Sequence, residues 1–258
     1  MTTPGRLHTD TGRSRPSWPA RRLDPDHSLG LRLTVAAAAA FLVLVPFSLL
    51  ALLVLASWAP LHDFDHTVTA ALHDYALGHP GWVDFMTAWS FVFAPWSLRL
   101  AALALVVWLL RRGARRLALW VVTTMVTGGL LGVVLKLLVG RERPELLDPV
   151  ARAVGYSFPS GHALNATLAA GVLVLIMLRP TRGRPGARLA GWLAAVVLAG
   201  VTGASRVAIG VHFTSDVIGG WLLGAAVVAA TAAGFTTWRE RVGGSRDHAV
   251  PAPADDAL

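Results

Sequence analysis

Ser205-Arg206 is followed by His212 and Asp216 between two long apolar runs, a place where apolar residues or a bland turn would be ordinary. His212 and Asp216 stand four apart, the spacing that lets two side chains meet on one helical face. A carboxylate behind an imidazole fixes its tautomer and stabilises its cation, which makes the histidine a base or a nucleophile. Arg206 adds a planar fork suited to phosphate or carboxylate. Taken alone, the same residues also describe a helix end with a polar cap. A second group lies upstream, where Lys136 and Arg143 are two helical turns apart and Gly140 and Pro144 mark fraying; alone, it reads as a basic membrane border. The third is Pro159-Ser160-Gly161-His162, at the start of another apolar run. Ser160 has N-cap chemistry. The amides of Gly161 and His162 would then point outward from a helix N-terminus, a ready anion site, with the His162 ring beside it.

The elements that must position these groups are membrane spans. The chain of 258 residues is 54% hydrophobic and 15% charged, with mean hydropathy +0.56. A soluble domain carries about a quarter charged residues. Apolar runs read as spans cover 31–57, 96–110, 117–138, 162–178, 188–204 and 217–236, with 96–110 continuing the segment before it. The expected fold is all-α, a six-transmembrane helix bundle over 31–237, with disordered cytoplasmic tails at 1–30 and 238–258. Pro46 is a candidate kink in the first span. Gly128 with Gly132, and Gly220 with Gly224, have the small-residue spacing that lets helices approach closely. Between the first two spans, Leu61, Phe64, Val68, Leu72 and Tyr75, then Trp82, Phe85, Met86, Trp89 and Phe93, recur at helical spacing. These predict amphipathic helices at the interface on the outer side, or, for the second stripe, the outer half of a long helix broken near Pro95. His62 and His66, with Asp63, Asp65 and His73 nearby, raise a zinc site against the simpler reading of a wet polar face. Without cysteine, no disulfide or thiolate metal site is possible.

The net charge of +8 does not signal nucleic-acid binding, because the arginines cluster at the ends of apolar runs. They crowd the N-terminal tail, 111–116, 179–188 and 239–246, whereas 58–95 holds neither Lys nor Arg. The positive-inside rule puts those basic loops and both termini in the cytoplasm. Arg99 is expected to snorkel to headgroups. With six spans, Lys136, Ser160, His162, Arg206, His212 and Asp216 emerge together on the outer side. Cations, an amide nest and two histidines suit phosphoryl transfer, where electrostatic stabilisation dominates catalysis.

At these residues the chain resembles the type 2 phosphatidic acid phosphatase superfamily, which includes bacterial lipid phosphatases, glucose-6-phosphatase and vanadium haloperoxidases. That family's signature is K-x6-R-P, P-S-G-H and S-R-x5-H-x3-D. The chain carries Lys136 with Arg143-Pro144, then Pro159-Ser160-Gly161-His162, then Ser205-Arg206 with His212 and Asp216, in that order. The resemblance covers 136–216 by motif and 30–237 by span pattern; segment 58–94 lies outside it. It implies that His212 attacks phosphorus, Asp216 orients it and His162 protonates the leaving oxygen. It also implies that Lys136, Arg143, Ser160, the Gly161 amide and Arg206 bind the phosphoryl oxygens, with no metal or cofactor. Arg141 has no motif role and is expected to face headgroups. The implied activity is hydrolysis of a lipid phosphate or diphosphate. Candidates are undecaprenyl diphosphate, phosphatidylglycerol phosphate, phosphatidic acid and diacylglycerol pyrophosphate. The partners are the lipid substrate and the bilayer, with no protein partner called for. The rivals are a lipid phosphotransferase using the same site, and a transporter or non-catalytic lipid-binding protein. Transport would call for polar residues lining the spans at mid-depth, where only Thr123, Thr124 and Thr127 lie.

Overall fold

The computed structural model describes residues 41–178, 181 and 183–247. The expected tail 1–30, the start of the first span and residues 248–258 lie outside them. All regular structure among the described residues is helical. Helix α1 (Phe41–Leu55) runs unbroken through Pro46 and meets α2 (Ala59–Gly78) at 89°. Helices α3 (Pro80–Val92) and α4 (Pro95–Arg111) follow, then α5 (Arg115–Val139), α6 (Gly161–Met177), α7 (Pro185–Ala208) and α8 (Thr214–Asp247).

Four stretches are long and apolar enough to cross a membrane: Pro80–Arg111, Arg115–Val139, Pro185–Ala208 and Thr214–Phe235. The bent pair α1–α2 raises the number to five if it counts as one span, and α6 is a shorter apolar helix. The candidate spans among the described residues therefore number four or five, and the start of the expected first span lies outside those residues. The second aromatic stripe is the first part of the 32-residue stretch Pro80–Arg111, broken just before Pro95. Helix α8 continues to Asp247, past the expected end of the last span.

Helix α6 is apolar all round, and the others enclose it, as such a helix requires. Ala163, Leu164, Ala166, Leu168, Val172 and Val174 are buried on it. Glycines set how near its neighbours come. A Cβ on Gly220 of α8 would lie 2.7 Å from the Ser160 carbonyl oxygen and 2.9 Å from the Ala163 Cβ. Gly128 and Gly132 of α5 leave room for Leu168 and Leu164 in the same way. Gly220→Ala must move backbone at the start of α6, and overpacking of this kind costs about 1–3 kcal/mol. A lower thermal midpoint in detergent is the expected result, with Gly191→Ala, which meets open space, as the neutral control.

The outer surface is apolar. Leu42, Leu52, Leu103, Leu130, Leu137, Leu138 and Val196 are all exposed on helices α1, α4, α5 and α7, a surface suited to lipid rather than water. Inside, Thr124 is fully buried; its hydroxyl donates to the Trp120 carbonyl at 2.9 Å and meets Thr231 Oγ1 at 2.9 Å. That mid-depth threonine is thus tied into helix packing. Arg99 does not simply snorkel: its Nε donates to Asn165 Oδ1 at 3.1 Å.

Candidate active site

Four helix ends meet at one end of the bundle: the last turn of α5, the start of α6, the end of α7 and the start of α8. The first carries Lys136, after which Gly140 stops the helix in the left-handed conformation (φ 62°), a backbone that glycine adopts without steric cost. The chain then runs as a loop to Ser160, which presents Arg141 and Arg143. At the far side, α7 ends beyond Arg206, and the Val211 and His212 amides both donate to the Arg206 carbonyl, at 3.1 and 3.2 Å. That turn places His212 directly ahead of α8.

His212 is buried, and both ring nitrogens are engaged. Nδ1 lies 3.3 Å from Asp216 Oδ2, and Nε2 lies 3.2 Å from Arg143 Nη1. A guanidinium only donates, so Nε2 must present its lone pair and Nδ1 must carry the proton that Asp216 accepts. This tautomer leaves the ring's in-plane lone pair on Nε2. Burial pushes the His212 imidazole down to about 4; the hydrogen bond and charge of Asp216 oppose this, while Arg143 and Arg206 add to it. The ring is accordingly neutral at pH 7.

The cations converge around this nitrogen. Arg143 is held by the carbonyls of Gly155 (2.8 Å) and Val211 (2.7 Å). Lys136 Nζ donates to the Tyr156 carbonyl, which also accepts from Arg143 Nη2 at 3.4 Å, so the two charges are neighbours. Arg206 Nη1 donates to Ser90 Oγ, and its buried Nε has no partner in the protein. His162, at the first turn of α6, lies within electrostatic reach of Arg206, His212 and Arg143. Ser160 stands at the N-cap position, but its side chain makes no capping bond. Its hydroxyl is buried and unpartnered, while its backbone amide donates to the Asp216 carbonyl at 2.9 Å. All eight residues singled out in the sequence therefore fall in one region, and Ser160 and Arg206 keep polar atoms free there.

Several residues here were not legible in the sequence. Arg141 does not face headgroups: it donates from Nη1 to Asp216 Oδ1 at 2.7 Å and from Nη2 to Asp65 Oδ2 at 2.8 Å. Asp65 belongs to α2, whose inward side is Asp65, Thr69, His73 and Ala76, while Phe64 and Tyr75 are exposed. The side of α2 that packs is thus polar as well as apolar, since Val68 and Leu72 also lie against the cluster of Ala163, Val207 and Val217. Ser90 of α3 and the Trp89 indole, which donates to Thr202 Oγ1 at 3.1 Å, tie the next helix to α7. Helical spacing was the available signal: Asp65, Thr69, His73 and Ala76 recur at four and three as regularly as the apolar stripe does. His62 and His66 do come together, with ring centroids 4.2 Å apart, but no third ligand joins them in a metal-holding group among the described residues.

The PAP2 superfamily model matches residues 117–240. Over 98 residues, 38% of this chain, it is 37% identical to a phosphatidylglycerophosphatase B of Bacillus subtilis (strain 168), covering 48% of that protein. Over 110 residues, 40% of this chain, it is 34% identical to an undecaprenyl-diphosphatase of Sulfolobus acidocaldarius, again covering 48%. The chain thus spans about half the length of the curated relatives it matches. In fold it is similar to the crystal structure of a transmembrane PAP2-type phosphatidylglycerolphosphate phosphatase from Bacillus subtilis. The TM-score is 0.65 and the identity 23%, over 81% of this chain and 96% of that one. Residues 117–240, which contain all three motifs, are the PAP2 superfamily segment of this chain.

Proposed function

We propose that this protein is a membrane phosphatase that hydrolyses a lipid phosphate or diphosphate through a phosphohistidine on His212. The observation that carries this reading is the pair of contacts on one buried ring: Nδ1 on Asp216, and Nε2 facing Arg143. In the proposed cycle the Nε2 lone pair attacks phosphorus and the bond to the lipid oxygen breaks. That oxygen takes a proton from His162. Water then attacks the phosphohistidine and gives a proton back to His162, and the P–Nε2 bond breaks to free inorganic phosphate and the neutral His212 ring. Lys136, Arg143, Arg206, Ser160 and the Gly161 amide hold the phosphoryl oxygens, where fixed donors act on the charge that develops. This set of cations supplies the positive charge that metal ions provide in other phosphoryl-transfer enzymes.

The named relatives support both halves of the substrate class, since one is called a phosphatidylglycerophosphatase and the other a diphosphatase. The apolar outer surface supports a lipid substrate. The site is read as extracytoplasmic, because Arg111, Arg112, Arg115, Arg116, Arg184 and Arg188 sit on helix ends and the turns beside them at the opposite end of the bundle.

The test is phosphate release by the purified protein in detergent, from phosphatidic acid, phosphatidylglycerol phosphate, undecaprenyl diphosphate and diacylglycerol pyrophosphate. Release from at least one of them is expected to persist in EDTA and to be inhibited by vanadate, which adopts the five-coordinate geometry of phosphorus under attack. Activity lost in EDTA and restored by magnesium would overturn the mechanism.

A further inference from the structure

We propose that Asp65 and Arg141 form a positioning clamp that orients Asp216, and through it His212; the proposal rests on the reading of His212 as the nucleophile. Asp216 uses its two oxygens differently. Oδ2 accepts from His212 Nδ1 at 3.3 Å and from the Phe213 amide at 2.9 Å. Oδ1 accepts from Arg141 Nη1 at 2.7 Å, and its other contact, Ser157 Oγ, is at 3.5 Å. The bond to the imidazole is already long, and a small rotation of the carboxylate breaks it. Arg141 is the strong contact that prevents that rotation.

Arg141 is itself fixed from the other side. Its Nη2 donates to Asp65 Oδ2 at 2.8 Å, and its guanidinium carbon lies 4.3 Å from the centre of the Phe213 ring. Asp65 also accepts from the Ser215 amide at 2.9 Å and from the Ser215 hydroxyl, which in turn accepts from Arg141 Nη1 at 2.6 Å. Asp65, Arg141, Ser215 and Asp216 therefore close a ring across α2, the loop after α5 and the start of α8. Both carboxylates are 0% exposed, and a buried carboxylate persists as an anion only when paired. One planar guanidinium serves both, and an ammonium would have no such fork. The arginine touches no reacting atom; that place belongs to Arg143. Asp65 comes from α2, outside the segment matched by the family. The helix that leaves its aromatic residues outward thus supplies a buried member of the site.

The experiment uses the full chain in detergent, with Arg141→Lys, Arg141→Gln, Asp65→Asn and the Asp65→Asn/Arg141→Gln double variant. Removing a group that orients a reacting one typically costs about 10–100-fold in activity. Arg141→Gln is expected to lose that much in kcat with KM within about threefold of wild type. Asp65→Asn is expected to lose less. The double variant should be no worse than Arg141→Gln, because Asp65 acts through the arginine and coupled sites are non-additive. Arg141→Lys keeps the charge and most of the volume, so its thermal midpoint should stay near wild type while kcat still falls. Independent of turnover, ¹⁵N-histidine NMR should show His212 as the Nδ1–H tautomer in wild type and a tautomer mixture in Arg141→Gln. Full kcat in a folded Arg141→Lys, losses that multiply in the double variant, or an unchanged tautomer would each overturn the clamp. Failure of wild type to release phosphate from any lipid would instead sink the phosphatase reading, and the tautomer would still decide the clamp.

Discussion

His212→Ala is expected to abolish turnover on every lipid phosphate and diphosphate, by more than about 10⁴-fold, the scale on which loss of a covalent nucleophile is felt. Nε2 is the unprotonated nitrogen beside Arg143, so the substitution removes the atom that would form the intermediate. No rescue by rearrangement is expected, because His162 belongs to another helix and is assigned the leaving-group side. The variant should remain folded. Asp216 keeps Arg141 at 2.7 Å and the Phe213 amide at 2.9 Å after the imidazole has gone. A lost hydrogen bond to a charged group and a small cavity cost a few kcal/mol at most. The checks are kcat/KM on the lipid panel and a melting curve in detergent. Acid-labile ³²P should label wild type under rapid quench and be missing from the variant. Turnover within tenfold of wild type, with the melting curve intact, would exclude His212 as nucleophile.

His162→Ala should discriminate between substrates. If His162 is the general acid, its worth depends on the leaving group. A monoester such as phosphatidic acid expels an alkoxide, which departs poorly unless it is protonated as it leaves. General acids contribute about 10²–10⁴-fold in rate, and that is the loss expected on phosphatidic acid. A diphosphate expels a lipid phosphate, already stable as an anion, and an aryl phosphate expels a phenolate. Both should suffer much less. His162 opens α6 within electrostatic reach of His212 and Arg206 and faces the Ser90 backbone. Hydrolysis of the shared phosphohistidine sets a common floor of damage, so the informative quantity is the ratio of losses in kcat/KM, which reports steps up to the first irreversible one. Equal losses across the three leaving groups would show that His162 binds phosphate and donates no proton.

What the sequence determined by itself is the membrane class and the set of ionisable and small residues placed at the ends of its apolar runs. Low charge and long apolar runs require a membrane protein, and an ionisable residue placed between such runs is there at a cost. Lys136, Arg143, Ser160, Gly161, His162, Arg206, His212 and Asp216 were therefore legible as types and spacings, and the structure gathers them at one end of the bundle. The glycine pairs were legible as well, since a small residue repeated at four marks a close approach whatever the partner is. The count of spans was not fixed in this way, because α1 and α2 form an 89° corner and α6 is shorter than its neighbours. Hydropathy does not report a bend.

Tertiary structure alone decided which side of α2 packs. An amphipathic helix in water buries its apolar side, but beside a bilayer either side can find a suitable neighbour. The aromatic stripe read as the anchored face and Asp65 as a wet one. In the fold, Phe64 is left exposed and Asp65 is fully buried, because Arg141 and Ser215 are there to receive the carboxylate. Arg141 was misread for the same reason. An arginine beside a membrane border has headgroups as its default partner, and its two real partners lie 76 and 75 residues away. Local spacing cannot report such a pairing; it exists only once α2 and α8 have packed around the loop between α5 and α6.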